Sequence, residues 1–97
     1  MNISKMYPRP HPQTAGRVID GEAVLILAES SEVNVLNQVG SRIFELSDGS
    51  RSIEQIALII AEEYDVTVEQ ADIDVREFLL QLVDQSIIVL DETKEAI

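Results

Sequence analysis

The chain has 97 residues, with 18 acidic and 7 basic side chains, a net charge of −11 and no cysteine. That length allows one domain with a single modest core and leaves no room for a catalytic domain built on its own cofactor fold. The charge disfavours nucleic-acid backbones, and the lack of cysteine excludes disulfides, thiolate metal sites and cysteine nucleophiles.

Residues 1–14 carry all three prolines, Pro8, Pro10 and Pro12, at alternate positions. This spacing predicts an extended arm, mobile or draped on the surface, without regular hydrogen bonds. No apolar run there matches a signal peptide, and none later reaches the ~18 residues of a membrane helix, so a soluble cytoplasmic protein is expected.

Arg17-Val18-Ile19 and Glu22 to Leu27 flank Asp20-Gly21, the signal for a two-residue hairpin of type I′. Ala23 to Leu27 is apolar at every position, which suits a central strand covered on both faces. A polar break, Ala28-Glu29-Ser30-Ser31, leads into a third strand, Glu32 to Leu36. With Val33 and Val35 alternating, no proline and only Glu32 as a guarding charge, this edge is poorly defended against pairing with another chain. It is covered by the chain's own tail, paired across a dimer, or open to a peptide that adds as a strand.

At Leu36-Asn37 the hydrophobic period changes from two to about 3.6. Asn37 is the expected cap of a first helix with Val39, Ile43 and Leu46 on its buried face, ending before Ser47-Asp48-Gly49. Gly40 inside it either permits close approach of another backbone or marks a frayed first turn. Ser52 with Gln55, and Thr67 with Gln70, open two more helices. The stripes are Ile53, Ile56, Ala57, Ile60, Ala61 and Tyr64 in one, and Val68, Ala71, Val75, Phe78, Leu79 and Leu82 in the other. The third helix, expected to run to about Gln85, also carries an offset apolar line, Ile73, Leu80 and Val83, interrupted by Arg76. That line is either a wide core face or the wall of a groove for a partner's side chains. Ile87 to Leu90 reads as a short extended segment before a charged tail, residues 91–97.

Catalytic and metal sites find no support. His11, the only histidine, sits between prolines in the arm with nothing to orient it. Glu69, Asp72, Asp74 and Glu77 read as a solvated helix face, since positions i and i+2 point in different directions. The four glycines form no phosphate loop. No catalytic residue, metal or cofactor is therefore expected.

Three pieces, Leu36-Asn37-x-x-Gly40, Asp48-Gly49-x-x-Ser52-Ile53 and Asp74-Val75-x-x-Phe78-Leu79, together with Ile19 to Leu25, resemble the PqqD-like family in order and spacing. The resemblance covers about residues 16–90. It implies an α+β, winged-helix-like domain over residues 15–90, a three-stranded antiparallel β-meander followed by three α-helices (βββααα). It also implies a non-catalytic recognition element that binds the leader of a ribosomally made precursor peptide as an added strand. Such a module presents the leader to a modifying enzyme, often a radical S-adenosylmethionine enzyme. Mapped onto this sequence, the docking strand is Glu32, Val33, Asn34, Val35 and Leu36, and the helix wall is Ile73, Arg76, Glu77, Leu80 and Val83. Glu32, Glu77 and Asp84 would favour a leader with lysine or arginine, and Arg76 a leader carboxylate. The segment Ala28 to Ser31 lacks the proline-rich stretch of the founding quinone-pathway member, so another peptide-modification pathway is equally compatible. Two further readings stay open, a DNA-binding winged helix, disfavoured by the acidic third helix, and a dimer formed through open strand edges or exchange of Ile87 to Leu90.

Overall fold

The computed structural model describes residues 3–27 and 33–93. The predicted polar break 28–31 and Glu32 lie outside the described residues. Among the described residues a 3-10 turn, Ile3–Lys5, precedes five strands and three helices: β1 (Tyr7–Pro10), β2 (Thr14–Ile19), β3 (Glu22–Leu27), β4 (Val33–Val35), α1 (Gln38–Leu46), α2 (Ile53–Glu63), α3 (Val68–Asp84) and β5 (Ile88–Asp91).

The chain is α+β with three helices, as expected, but its strands form two sheets rather than one meander. One sheet has the antiparallel order β2-β3-β4 and the other pairs β1 with β5. Asp20 (φ 51°) and Gly21 (φ 81°) make the β2–β3 turn with both residues left-handed, as a type I′ hairpin requires.

The second sheet corrects the reading of residues 1–14. Proline denies a hydrogen bond only on the side to which its nitrogen points. The backbone of His11 faces the second sheet's partner strand, its N–H donating to the Ile87 carbonyl at 2.8 Å. By strand alternation, Tyr7 and Arg9, opposite Asp91 and Val89, face it too. Pro8 and Pro10 therefore point their nitrogens away, the one arrangement in which a strand tolerates proline. The opposite side of β1 is also satisfied, because Met6 and Pro8 carbonyls accept from the N–H groups of Ile53 and Gly49. His11 is likewise held, its Nδ1 accepting from the Gln13 N–H at 3.1 Å.

The helices start where the caps predict. Asn37 accepts from the Gly40 N–H, Ser52 and Gln55 form a reciprocal capping box, and Thr67 accepts from the Gln70 N–H. The core lies between the helices and one face of β3, where Ala23 and Leu25 meet Ile43, Phe44, Ile53, Ile56, Val75 and Leu79. Phe44 was absent from the predicted α1 stripe. Its ring packs against β2, with Cε2 2.9 Å from where a Cβ on Gly16 would stand. Val68, predicted to be buried, is 45% exposed. β3 is central in its sheet yet covered on one face only, because Ile26 is 46% exposed on the other.

Candidate peptide-docking edge

β4 is an edge strand. It pairs with β3 through Val24–Val35, Leu25–Asn34 and Ile26–Val33, and no other described strand lies against it. The predicted extended segment at the C-terminus does not cover it, since β5 pairs with β1.

The register fixes which backbone groups the edge offers. Leu36 donates its N–H to the Ala23 carbonyl at 2.9 Å, so Leu36, and by alternation Asn34, face β3. Val35 and Val33 therefore turn their N–H and C=O groups to the open side. At the end of β4 the ladder is closed by a side chain. The Ser41 hydroxyl accepts from the Ala23 N–H at 2.7 Å and donates to the Leu36 carbonyl at 3.1 Å. Ser41 is buried in α1, so the hydroxyl fixes the helix to the strand end.

On α3, Ile73 and Leu80 are 43% and 44% exposed, Glu77 is exposed and Val83 is half-buried. Arg76 is tied along its own helix to the Asp72 carboxylate at 3.1 Å, and Asp72 also accepts from Ser4 of the 3-10 turn at 3.4 Å. Arg76 thus faces the N-terminal segment. Phe78, two positions on, points to the opposite flank. Its ring tip lies 2.9 Å from where a Cβ on Gly40 would stand, and Asn37 Oδ1 lies 3.1 Å from the same point. Gly40 permits close approach, as one of its two readings held, but of a ring rather than a backbone. Phe78 is half-buried at the junction of β4 and α1, and Asp74 and Gln81 share its flank at helical spacing. The structure therefore brings Asn37 and Gly40, just past the end of β4, to the side where Phe78 lies, while Arg76 sits round the helix from them. Sequence reasoning counted Phe78 as core, and only its pairing with a glycine at the start of α1 could have marked it otherwise.

Fixed charges elsewhere hold the frame. The Arg42 guanidinium forks onto Glu63 at 2.9 and 2.7 Å and reaches Glu45 at 2.6 Å, joining α1 to α2. The hydrogen bond from Arg42 holds the Glu63 carboxyl below its usual range, and the two carboxylates keep Arg42 more firmly protonated. Desolvation pushes Asp48 upward, but hydrogen bonds from Ser50 and the charge of Arg51 outweigh it and leave its pKa lowered. Among the described residues no group of three or more histidine, cysteine, aspartate or glutamate side chains could hold a metal ion. No described helix is long and apolar enough to cross a membrane.

The family profile of coenzyme PQQ synthesis protein D, PqqD, matches residues 22–88, well over half of the chain. The chain belongs to the PqqD family. Among solved structures, this PqqD-family chain is similar to TbiB1 in complex with the TbiA(beta) leader peptide, at 28% identity over 90% of this chain and 99% of that one, with a TM-score of 0.77. It is also similar to lasso peptide synthetase B1 complexed with the leader peptide, at 25% identity over 84% of this chain and 96% of that one, with a TM-score of 0.74. No curated protein matches the chain in sequence.

Proposed function

We propose that the chain is a non-catalytic peptide-recognition module, winged-helix-like over residues 15–90. It binds the leader of a ribosomally made precursor by strand addition to β4 and presents it, in the cytoplasm, to a modifying enzyme of the radical S-adenosylmethionine type. The observation that carries this reading is the free edge of β4, with the backbone of Val35 turned outward. Membership of the PqqD family and likeness to two proteins solved with leader peptides support it.

The docking strand is β4, Val33 to Val35, continued by Leu36. The groove wall nearest to it is Phe78 with Asp74 and Gln81, and Glu77, Ile73 and Leu80 form the rim. Arg76 and Val83, further round α3, meet only a leader that continues across the outer face of that helix. Backbone hydrogen bonds supply part of the affinity and side-chain pockets choose the sequence. Asp74, Glu77 and Asp84 favour a leader with lysine or arginine beside its apolar residues. The net charge of −11 gives no footing for the DNA-binding alternative.

Titrating the isotope-labelled chain with the leader of its neighbouring precursor peptide tests the mapping. Amide shifts at Val33, Val35 and the Phe78 flank of α3 are expected, and shifts confined to other sites would refute it.

A further inference from the structure

Asp-Gly occurs twice in the chain, as Asp20-Gly21 and as Asp48-Gly49. The dipeptide carries a chemistry of its own. The glycine nitrogen can attack the aspartate side-chain carboxyl, and a glycine without a Cβ does not crowd that approach. Both glycines are left-handed, with φ of 81° and 87°. Neither the dipeptide nor the glycine conformation separates the two sites, so their surroundings decide.

At Asp48-Gly49 the reacting groups are held. The Gly49 N–H donates to the Pro8 carbonyl at 2.8 Å, and Gly49 is buried. One Asp48 carboxylate oxygen accepts from the Ser50 N–H at 2.9 Å and from the Ser50 hydroxyl, and the other lies 3.6 Å from the Arg51 guanidinium. At Asp20-Gly21 these restraints are missing. Both residues are exposed, and the space beside Gly21 is open. Among the described residues, no side chain or backbone group bonds the Asp20 carboxylate or the Gly21 N–H. The turn must leave its left-handed conformation before a ring can close. Opening it breaks only the end of the ladder at Ile19–Glu22, where both residues are exposed.

We infer that Asp20 is a site of spontaneous isomerisation to isoaspartate, and that the fold protects Asp48 in the same dipeptide. The Gly21 nitrogen bonds to the Asp20 Cγ, a carboxyl C–O bond breaks, and water leaves with the amide proton, closing a succinimide. Water then reopens the ring. Addition at the side-chain carbonyl restores aspartate. Addition at the main-chain carbonyl gives isoaspartate, with the backbone now running through Cβ and Cγ and the former main-chain carbonyl a free carboxylate. Mass and formal charge are unchanged, and no oxidant or reductant takes part. The extra backbone carbon enters a two-residue turn whose strands are in fixed register. Asp20, Gly21 and Glu22 border a hollow with Leu36, Asn37 and Gln38, and the Ala23 carbonyl beside the turn holds the Leu36 N–H. Isomerisation therefore loosens the junction where β4 passes into α1. Its product is an exposed carboxylate of the class that an S-adenosylmethionine-dependent carboxyl methyltransferase esterifies.

The test ages the full chain at neutral pH and physiological temperature, once folded and once in urea. Isoaspartate is read by methyl transfer from labelled S-adenosylmethionine with an isoaspartyl methyltransferase, and mass spectrometry of proteolytic fragments assigns it to each site. In urea the two sites are expected to react alike. In the folded chain position 20 is expected to exceed position 48 by at least about tenfold, the factor by which one well-made hydrogen bond suppresses local opening. The Leu36 amide of the modified fraction should exchange with solvent faster than that of the unmodified chain. Equal reaction at the two sites of the folded chain overturns the inference. Isoaspartate at both sites in urea and at neither in the folded chain also overturns it, by showing that the hairpin turn protects Asp20. Unaltered exchange at Leu36 in the modified fraction refutes the effect on the β4 junction.

Discussion

Ser41 shows how one side chain can join two layers. Its hydroxyl stands between the Ala23 N–H and the Leu36 carbonyl, completing a ladder that the backbone leaves open where β4 turns into α1. Replacing it with alanine strands a donor and an acceptor in a dry place. Ser41→Ala is expected to cost about 1–3 kcal/mol, read as a lower urea midpoint with unchanged slope. The residue is unremarkable in the sequence, a lone serine following Gly40. Its role depends on a partner 18 positions earlier, and local periodicity carries no trace of such a contact.

At the scale of elements, local chemistry made most of the fold legible. Asp20-Gly21, Asn37, the Ser52–Gln55 box and Thr67 each name their turn or cap by a short-range hydrogen-bonding or backbone preference, and each stands in its place. The strand formed by the proline segment was not legible, because an alternate-proline pattern is equally consistent with an arm and with an edge strand whose free side meets a partner. The partner, β5, lies some 80 positions along the chain, with Arg9 facing Val89 and joined to Asp91 by an ion pair. A proline at position 9 would break what prolines at 8 and 10 leave intact. Arg9→Pro should lower thermal stability beyond Arg9→Ala by about 1–3 kcal/mol, and the alanine control separates the lost ion pair from the lost backbone bond. The open edge of β4 was legible for the opposite reason, since an alternating segment without proline or lysine is an edge left unguarded. The flank of α3 beside that strand's end was harder to read. Phe78 fits the core stripe of α3, and only the missing side chain at Gly40 lets its ring stand at the strand's end.

Across the whole molecule, the acidic excess leaves few cations, and most of those described are paired with carboxylates. Arg42 clamps α1 to α2 through Glu63, whose folded-state pKa is lowered. A carboxyl with a lowered folded pKa stabilises the fold above its unfolded value and loses that contribution as pH falls through the folded one. The stability difference between the unsubstituted chain and Glu63→Gln should therefore be present at pH 7. It should shrink as the pH drops below the ordinary glutamate value of 4.5, and also shrink in high salt, because the pair is exposed. Denaturant titrations at several pH values check both dependences. With α1 fixed to α2 by Arg42 and to the sheet by Ser41, the helical frame holds β4 with its free edge turned outward. Val35→Pro tests that edge most directly. The substitution removes only an outward N–H, so the chain should fold with β4 still paired to β3, and leader affinity measured by calorimetry should fall about tenfold, the worth of one well-made hydrogen bond. A folded Val35→Pro variant that binds leader as tightly as the unsubstituted chain would contradict strand addition at β4.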